Sequence, residues 1–118
     1  MIKIKKEKGA LRLGEMAYAR SGDKGSGANV AVFAHTAEGY AFLRKRLTAR
    51  VVERYFKPLG VGAVKRYEVP NLEAFNFILP KILAGGGSRS LRIDAQGKTL
   101  GQAILELRLM APRSVLPR

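Results

Sequence analysis

The chain has 118 residues, no cysteine and one histidine, and 47% of its residues are hydrophobic against 26% charged. That length holds one domain with a core of its own, and the composition excludes disulfides, thiol catalysis, zinc ribbons and multi-histidine metal sites. A formal net charge of +13 calls for a counter-charged partner, whether nucleic acid, an acidic protein surface or an anionic small molecule.

Residues 1–9, with Lys3, Lys5, Lys6 and Lys8, read as a basic, solvated tail. Ala10–Arg20 reads as one strand with a bulge at Gly14-Glu15. Asn29–His35 is apolar on both alternating faces, as in a central strand, and the two strands are expected to be adjacent. From Glu38 the period changes, and Tyr40, Leu43, Leu47, Val51 and Tyr55 form a helical stripe opposite Arg44, Lys45, Arg50 and Arg54. Thr48 can cap a second helical piece, so the spacing allows two helices with a bend, stopped by Lys57-Pro58-Leu59-Gly60. Ala63–Val69 is a further strand, closed by Pro70-Asn71.

Asn71 as N-cap and Glu73 in the first turn open what reads as a helix. Leu72, Phe75, Leu79 and Ile82 make its stripe, Phe77 and Ile78 widen it, and Pro80 kinks it. Gly85-Gly86-Gly87 ends that helix. Ser90–Asp94 alternates as a strand, Asp94–Gly97 is a turn, and Thr99-Leu-Gly-Gln102 fits a capping box for a short helix through about Leu105. Leu105, Leu107 and Leu109 alternate with Glu106 and Arg108, which favours a final strand, and residues 112–118 form a tail. The order predicts an α+β domain over residues 10–111: a mixed sheet of four to five strands covered by two to three helices, mainly on one face. The other sheet face then needs cover, and a homo-oligomer is the simplest expectation.

The stretch richest in chemistry is Arg20-Ser-Gly-Asp-Lys-Gly-Ser-Gly-Ala-Asn29. Gly22, Gly25 and Gly27 can take positive φ and turn backbone N–H groups towards one point, an anion nest beside Arg20 and Lys24. Ser21, Asp23 and Asn29 complete the candidate anion-binding set. An intersubunit contact and a plain surface turn with a weak Asp–Lys pair remain the alternatives. No Gly-Lys-Ser/Thr ends the string and no helix follows it directly, so it is not a Walker loop. Gly86 and Gly87 with Arg89 are either a helix terminus or a second set of donors facing the same ligand. Asn76 is either a core amide or a group that orients that ligand. His35 ends a strand with no evident serine or acid partner. Glu15 is either exposed at a bulge or paired with a buried arginine, and only the pair would suit catalysis.

Charge placement bears on the partner. Residues 1–50 and 51–118 each carry eleven Lys and Arg, an even spread that disfavours a specific nucleic-acid footprint. The start has no apolar signal-peptide core and no segment reaches membrane-spanning length, so a soluble, cytoplasmic chain is expected. Scarce Asn and Gln with abundant Arg lean towards a thermophilic source.

Arg20-Ser-Gly-Asp-Lys-Gly25 followed by Asn29-Val resembles the signature of the acyclic terpene utilisation (AtuA-like) family. So do Arg66-Tyr-Glu-Val-Pro70, Asn76-Phe with Gly85-Gly86-Gly87, and Ser90-Leu-Arg-Ile-Asp94 followed by Gly97-Lys98, in that order over about residues 10–110. The resemblance implies a small ferredoxin-like α+β domain, here as a separate polypeptide, whose larger relatives carry it after a large α/β domain. It implies a place in the catabolism of acyclic terpenes or branched acyl acids, as coenzyme A thioesters, and so a pathway and a partner rather than a reaction. One departure matters: the family writes an acid after the last glycine of the signature, and this chain has Ser26. Asp23 is then the only acid in the loop, which weakens a metal reading and favours an anion. The sequence therefore carries three readings: a small component of such an enzyme system, a non-catalytic assembly module for a large α/β partner, and, disfavoured by the charge spread, a nucleic-acid-binding domain. No cofactor and no nucleophile–base pair can be named from it.

Overall fold

The computed structural model describes residues 8–82 and 99–117. In chain order they form β1 (Lys8–Arg12), β2 (Ala17–Lys24), β3 (Gly27–Ala34), α1 (Ala37–Arg46), α2 (Ala49–Phe56), β4 (Lys65–Val69), β5 (Ala74–Leu79), α3 (Leu100–Ile104) and β6 (Arg108–Pro112). The main sheet has four strands in the order β2-β3-β5-β4, and β1 pairs with β6 in a separate two-stranded sheet. Every one of these pairings is antiparallel, where the element order had suggested a mixed sheet. The class is the expected α+β, ferredoxin-like arrangement.

Local chemistry sets the element ends. Thr36 Oγ1 accepts from the Gly39 N–H at 2.9 Å and caps α1, and Thr48 Oγ1 accepts from Val51 N–H at 3.2 Å and caps α2. The two helices with a bend at Leu47–Thr48 are as the sequence suggested, and Leu47 is fully buried at the bend. Thr99 and Gln102 form the anticipated capping box on α3. A 3-10 turn at Lys57–Leu59 ends on Gly60 with φ 84°, in the left-handed region that glycine tolerates.

Two expectations need correction. Ala10–Arg20 is not one bulged strand: a 3-10 turn at Leu13–Glu15 divides it, and the halves join different sheets. Leu13 and Met16 are both fully buried three residues apart, which a turn brings to one side whereas a strand would send them to opposite faces. Glu15 sits in a turn rather than a bulge and pairs with no cation among the described residues; its Oε2 accepts from the Arg12 N–H at 2.9 Å and caps the turn. The helix expected from Leu72 onwards is also absent. A 3-10 turn at Pro70–Leu72 leads into β5, where Phe75, Phe77 and Leu79 are buried in alternation. Leu72, placed in the helical stripe, is 59% exposed. Pro80 stands just beyond the strand, where its missing N–H costs nothing. The readings at Gly85–Gly87, Ser90–Asp94 and Gly97 lie outside the described residues.

The core among the described residues lies on one face of the sheet. Ala28, Val30 and Val32 of β3 and Phe75, Phe77 and Leu79 of β5 share a core with Leu43, Val52, Phe56 and Ile104 of the helices. Tyr40 of α1 stacks on Phe75 with ring centroids 4.9 Å apart. Past β6, Arg113–Val115 makes a further 3-10 turn with Val115 buried. No helix among the described residues is long and apolar enough to cross a membrane.

Candidate functional site on the open sheet face

Because a strand alternates its side chains, the β2–β3 hairpin sorts the candidate residues between two faces. The pairing runs Arg20↔Ala31, Ser21↔Val30, Gly22↔Asn29, Asp23↔Ala28 and Lys24↔Gly27. Val30 and Ala28 belong to the core, so Ser21 and Asp23 lie on the core side, while Arg20, Gly22 and Asn29 lie on the opposite face. The string read as a glycine loop is therefore mostly strand, and only Gly25 and Ser26 make the turn.

This changes the physical basis of the anion reading. Of the three glycines considered, only Gly25 has positive φ, at 59°. A two-residue Gly-Ser turn with positive φ at the glycine is the hairpin turn that suits twisted strands. Ladder N–H groups lie in the plane of the sheet and do not converge on a point, so no three-glycine nest forms. Gly27 serves a different purpose: a Cβ there would lie 3.0 Å from the Leu79 carbonyl oxygen and 3.3 Å from Pro80 Cα. Ser21 has a structural partner, since its Oγ accepts from the Gly101 N–H at 3.0 Å and ties α3 to β2.

Three rows of residues cross the face away from the core. They are Tyr18–Phe33–Ala74–Val69, Arg20–Ala31–Asn76–Tyr67 and Gly22–Asn29–Ile78–Lys65. None holds an acid. Tyr18 is 48% exposed and Tyr67 53% exposed. Phe33, Ala31, Val69 and Ile78 stand outside the core cluster and its packed fringe. Tyr18 and Phe33 stack with centroids 4.9 Å apart and planes 10° apart, and the His35 ring tilts against Tyr18 at 5.8 Å. At the centre, Asn29 Nδ2 donates to Asn76 Oδ1 at 3.3 Å.

Asn76, which the helix reading separated from the signature, thus joins Asn29 directly and shares a row with Arg20. Gly86, Gly87 and Arg89 lie outside the described residues. The aromatic members of the face, Tyr18, Phe33 and Tyr67, were not singled out from sequence. The signal for them is the pair of alternations Tyr18-Ala-Arg20 and Lys65-Arg-Tyr67, in which aromatic and cation share a strand face. Among the described residues no cluster of three or more His, Asp or Glu could hold a metal. A perturbed titrating group among the described residues stands apart from this face. Burial, and secondarily the charge of Glu106, pushes the Tyr55 phenol above its ordinary value, while its hydroxyl donates to the Ala103 carbonyl at 2.6 Å.

The family model of the AtuA ferredoxin-like domain matches residues 11–110. The chain belongs to that family. Neither the curated proteins nor the solved structures compared with it give a match.

Proposed function

We propose that this chain is the small component of an enzyme system that degrades acyclic terpenoid or branched acyl acids or their thioesters. Within it, Arg20 and Lys24 meet an anionic group of the substrate or its carrier. Family membership supports the pathway. The observation that carries the anion reading is Arg20 on a sheet face whose described rows hold no acid, in one row with Asn76 and beside the Asn29–Asn76 amide pair. A guanidinium bonds a carboxylate or phosphate through charge-assisted contacts, and an amide nitrogen with a spare hydrogen adds a neutral donor. Asp23 and Ser21, on the other side of the strand, would hold the hairpin and leave the anion to the cations. The proposed role is binding and positioning, with a large α/β partner subunit or a second copy supplying what this domain lacks.

A second reading, an assembly module without small-molecule affinity, draws on the exposure of Tyr18 and Tyr67 on the same face. Isothermal titration with coenzyme A separates the two. The anion reading expects binding that Arg20→Ala and Lys24→Ala each weaken about 10-fold, with the unfolding midpoint nearly unchanged. Binding that both variants leave intact overturns it. Absent binding, together with a light-scattering dimer that Tyr18→Asp dissociates, favours the assembly module.

A further inference from the structure

The geometry points to the open sheet face as a stacking platform for single-stranded nucleic acid, recognised through its bases and phosphates with little regard to sequence. This goes beyond the anion reading, with which it shares Arg20 and the Asn29–Asn76 amide pair. The face carries an aromatic–cation pair on each of its two outer strands: Tyr18 with Arg20 on β2, and Tyr67 with Lys65 on β4. Two residues apart on one strand face, each pair emerges about 6.8 Å apart. That matches the reach from a nucleobase to its own phosphate, so a base lying on the tyrosine brings phosphate oxygens to the cation.

The two pairs stand three inter-strand spacings apart, about 14 Å. Between them the described rows hold the Asn29–Asn76 amide pair, Ala31 and Phe33, and no carboxylate. One nucleotide fills one pair and leaves the other idle, whereas a short strand crosses the face and uses both. Stacking a single base multiplies affinity by about 5- to 150-fold, which is weak for a mononucleotide on an open surface and substantial when repeated. Open four-stranded antiparallel sheets with aromatic side chains suit unpaired bases, which a duplex keeps stacked on one another. The net charge of +13 supplies the complementary sign and speeds encounter. A second copy fits this face less well, since face-to-face pairing would bring the cations of the described rows together with no acid among them.

The test is fluorescence anisotropy of a labelled decauridylate with the full chain at about 0.15 M salt. Binding is expected, with Tyr18→Ala and Tyr67→Ala each weakening it by about 5- to 100-fold, and Tyr18→Phe restoring it. Both tyrosines are half exposed, so the variants should fold, as circular dichroism verifies. Two phosphate contacts give a shallow salt slope of about −1.4, and Arg20→Gln should reduce it. The duplex of the same length should bind far more weakly. Equal binding of duplex and strand, or a steep slope untouched by the tyrosine variants, overturns the proposal in favour of diffuse charge. Competition by 3′,5′-adenosine diphosphate as effective as that of the strand overturns it in favour of a nucleotide carrier. No binding, with a dimer that Tyr67→Ala dissociates, overturns it in favour of a protein contact. Coenzyme A titration of Tyr67→Ala keeps the two proposals apart, because the anion reading gives Tyr67 no part.

Discussion

Arg66 offers the sharpest test of how the helices are held to the sheet. Its Nη1 donates to the carbonyls of Arg44 and Leu47, each at 3.0 Å, at the C-terminal end of α1. Nη2 donates to Glu68 Oε2 at 3.1 Å, and the guanidinium carbon lies 5.0 Å from the Phe75 ring centroid. The Arg66 side chain is 17% exposed and that of Glu68 38% exposed. A charged donor on a carbonyl contributes about 1.5–3 kcal/mol. The two bonds share one nitrogen and water can replace part of them, so the pair is taken near about 2 kcal/mol. Stacking on Phe75 adds about 0.5–1 kcal/mol, and the partly exposed ion pair less than about 1 kcal/mol. Arg66→Met should therefore destabilise by about 3 kcal/mol, which lowers the melting temperature by roughly 10 °C in a domain of this size. Arg66→Lys should recover little, because one ammonium cannot serve two carbonyls while lying flat on a ring. Glu68→Gln should cost less than about 1 kcal/mol. Urea unfolding of the three variants decides the matter. Near-native stability of Arg66→Lys, or a loss in Glu68→Gln equal to that in Arg66→Met, refutes the argument that the fork to the helix carbonyls dominates.

Gly25→Val should destabilise by about 1–2 kcal/mol through its φ alone, and Gly27→Val by more, because its Cβ would meet the backbone at Leu79 and Pro80; equal and negligible losses in urea unfolding would contradict the hairpin. The buried hydroxyl of Tyr40 has no hydrogen-bond partner among the described residues, so Tyr40→Phe should be neutral or stabilising by up to about 1 kcal/mol, and a clear loss in melting temperature would count against that. Tyr55 keeps its proton in the fold beyond the ordinary 10.0. Its contribution to stability is therefore complete below that pH and is lost as pH rises through the folded pKa. Tyr55→Phe should flatten this alkaline decline, and an absorbance titration should lose a late-ionising phenol in that variant.

Short-range signals in the sequence read true where the physics is itself short-range. Thr48 and the Thr99–Gln102 box satisfy N–H groups within three residues of themselves, so their roles can be inferred without knowing what lies opposite. The segment from Leu72 to Ile82 fails for the complementary reason. Phe75, Leu79 and Ile82 fit a helical stripe while Phe75, Phe77 and Leu79 fit a strand, and only the partner decides. Here β3 offers Val32, Val30 and Ala28 as row neighbours on the core side, and pairing prevails over local period. Pro80 was the dissenting residue: costly inside a helix, it is harmless just past a strand.

The candidate site suffered from the same missing partner. Chemistry at Arg20–Asn29 was visible, yet a list of residue types cannot say which of them face the same way. Once the register places Ser21 opposite Val30, strand alternation alone sends Arg20 and Asn29 to the side away from the core. Misreading β5 as a helix hid Asn76 from them, and with it the polar centre of that face. A one-residue slip at the Gly25-Ser26 turn would set Arg20 opposite Val30 or Val32 on one face, so that either the arginine is buried against the helices or the valines are exposed. The desolvation cost of such a slip is what pins the register, so the apolar residues on the core side of β3 are as necessary to the site as the arginine on its open face.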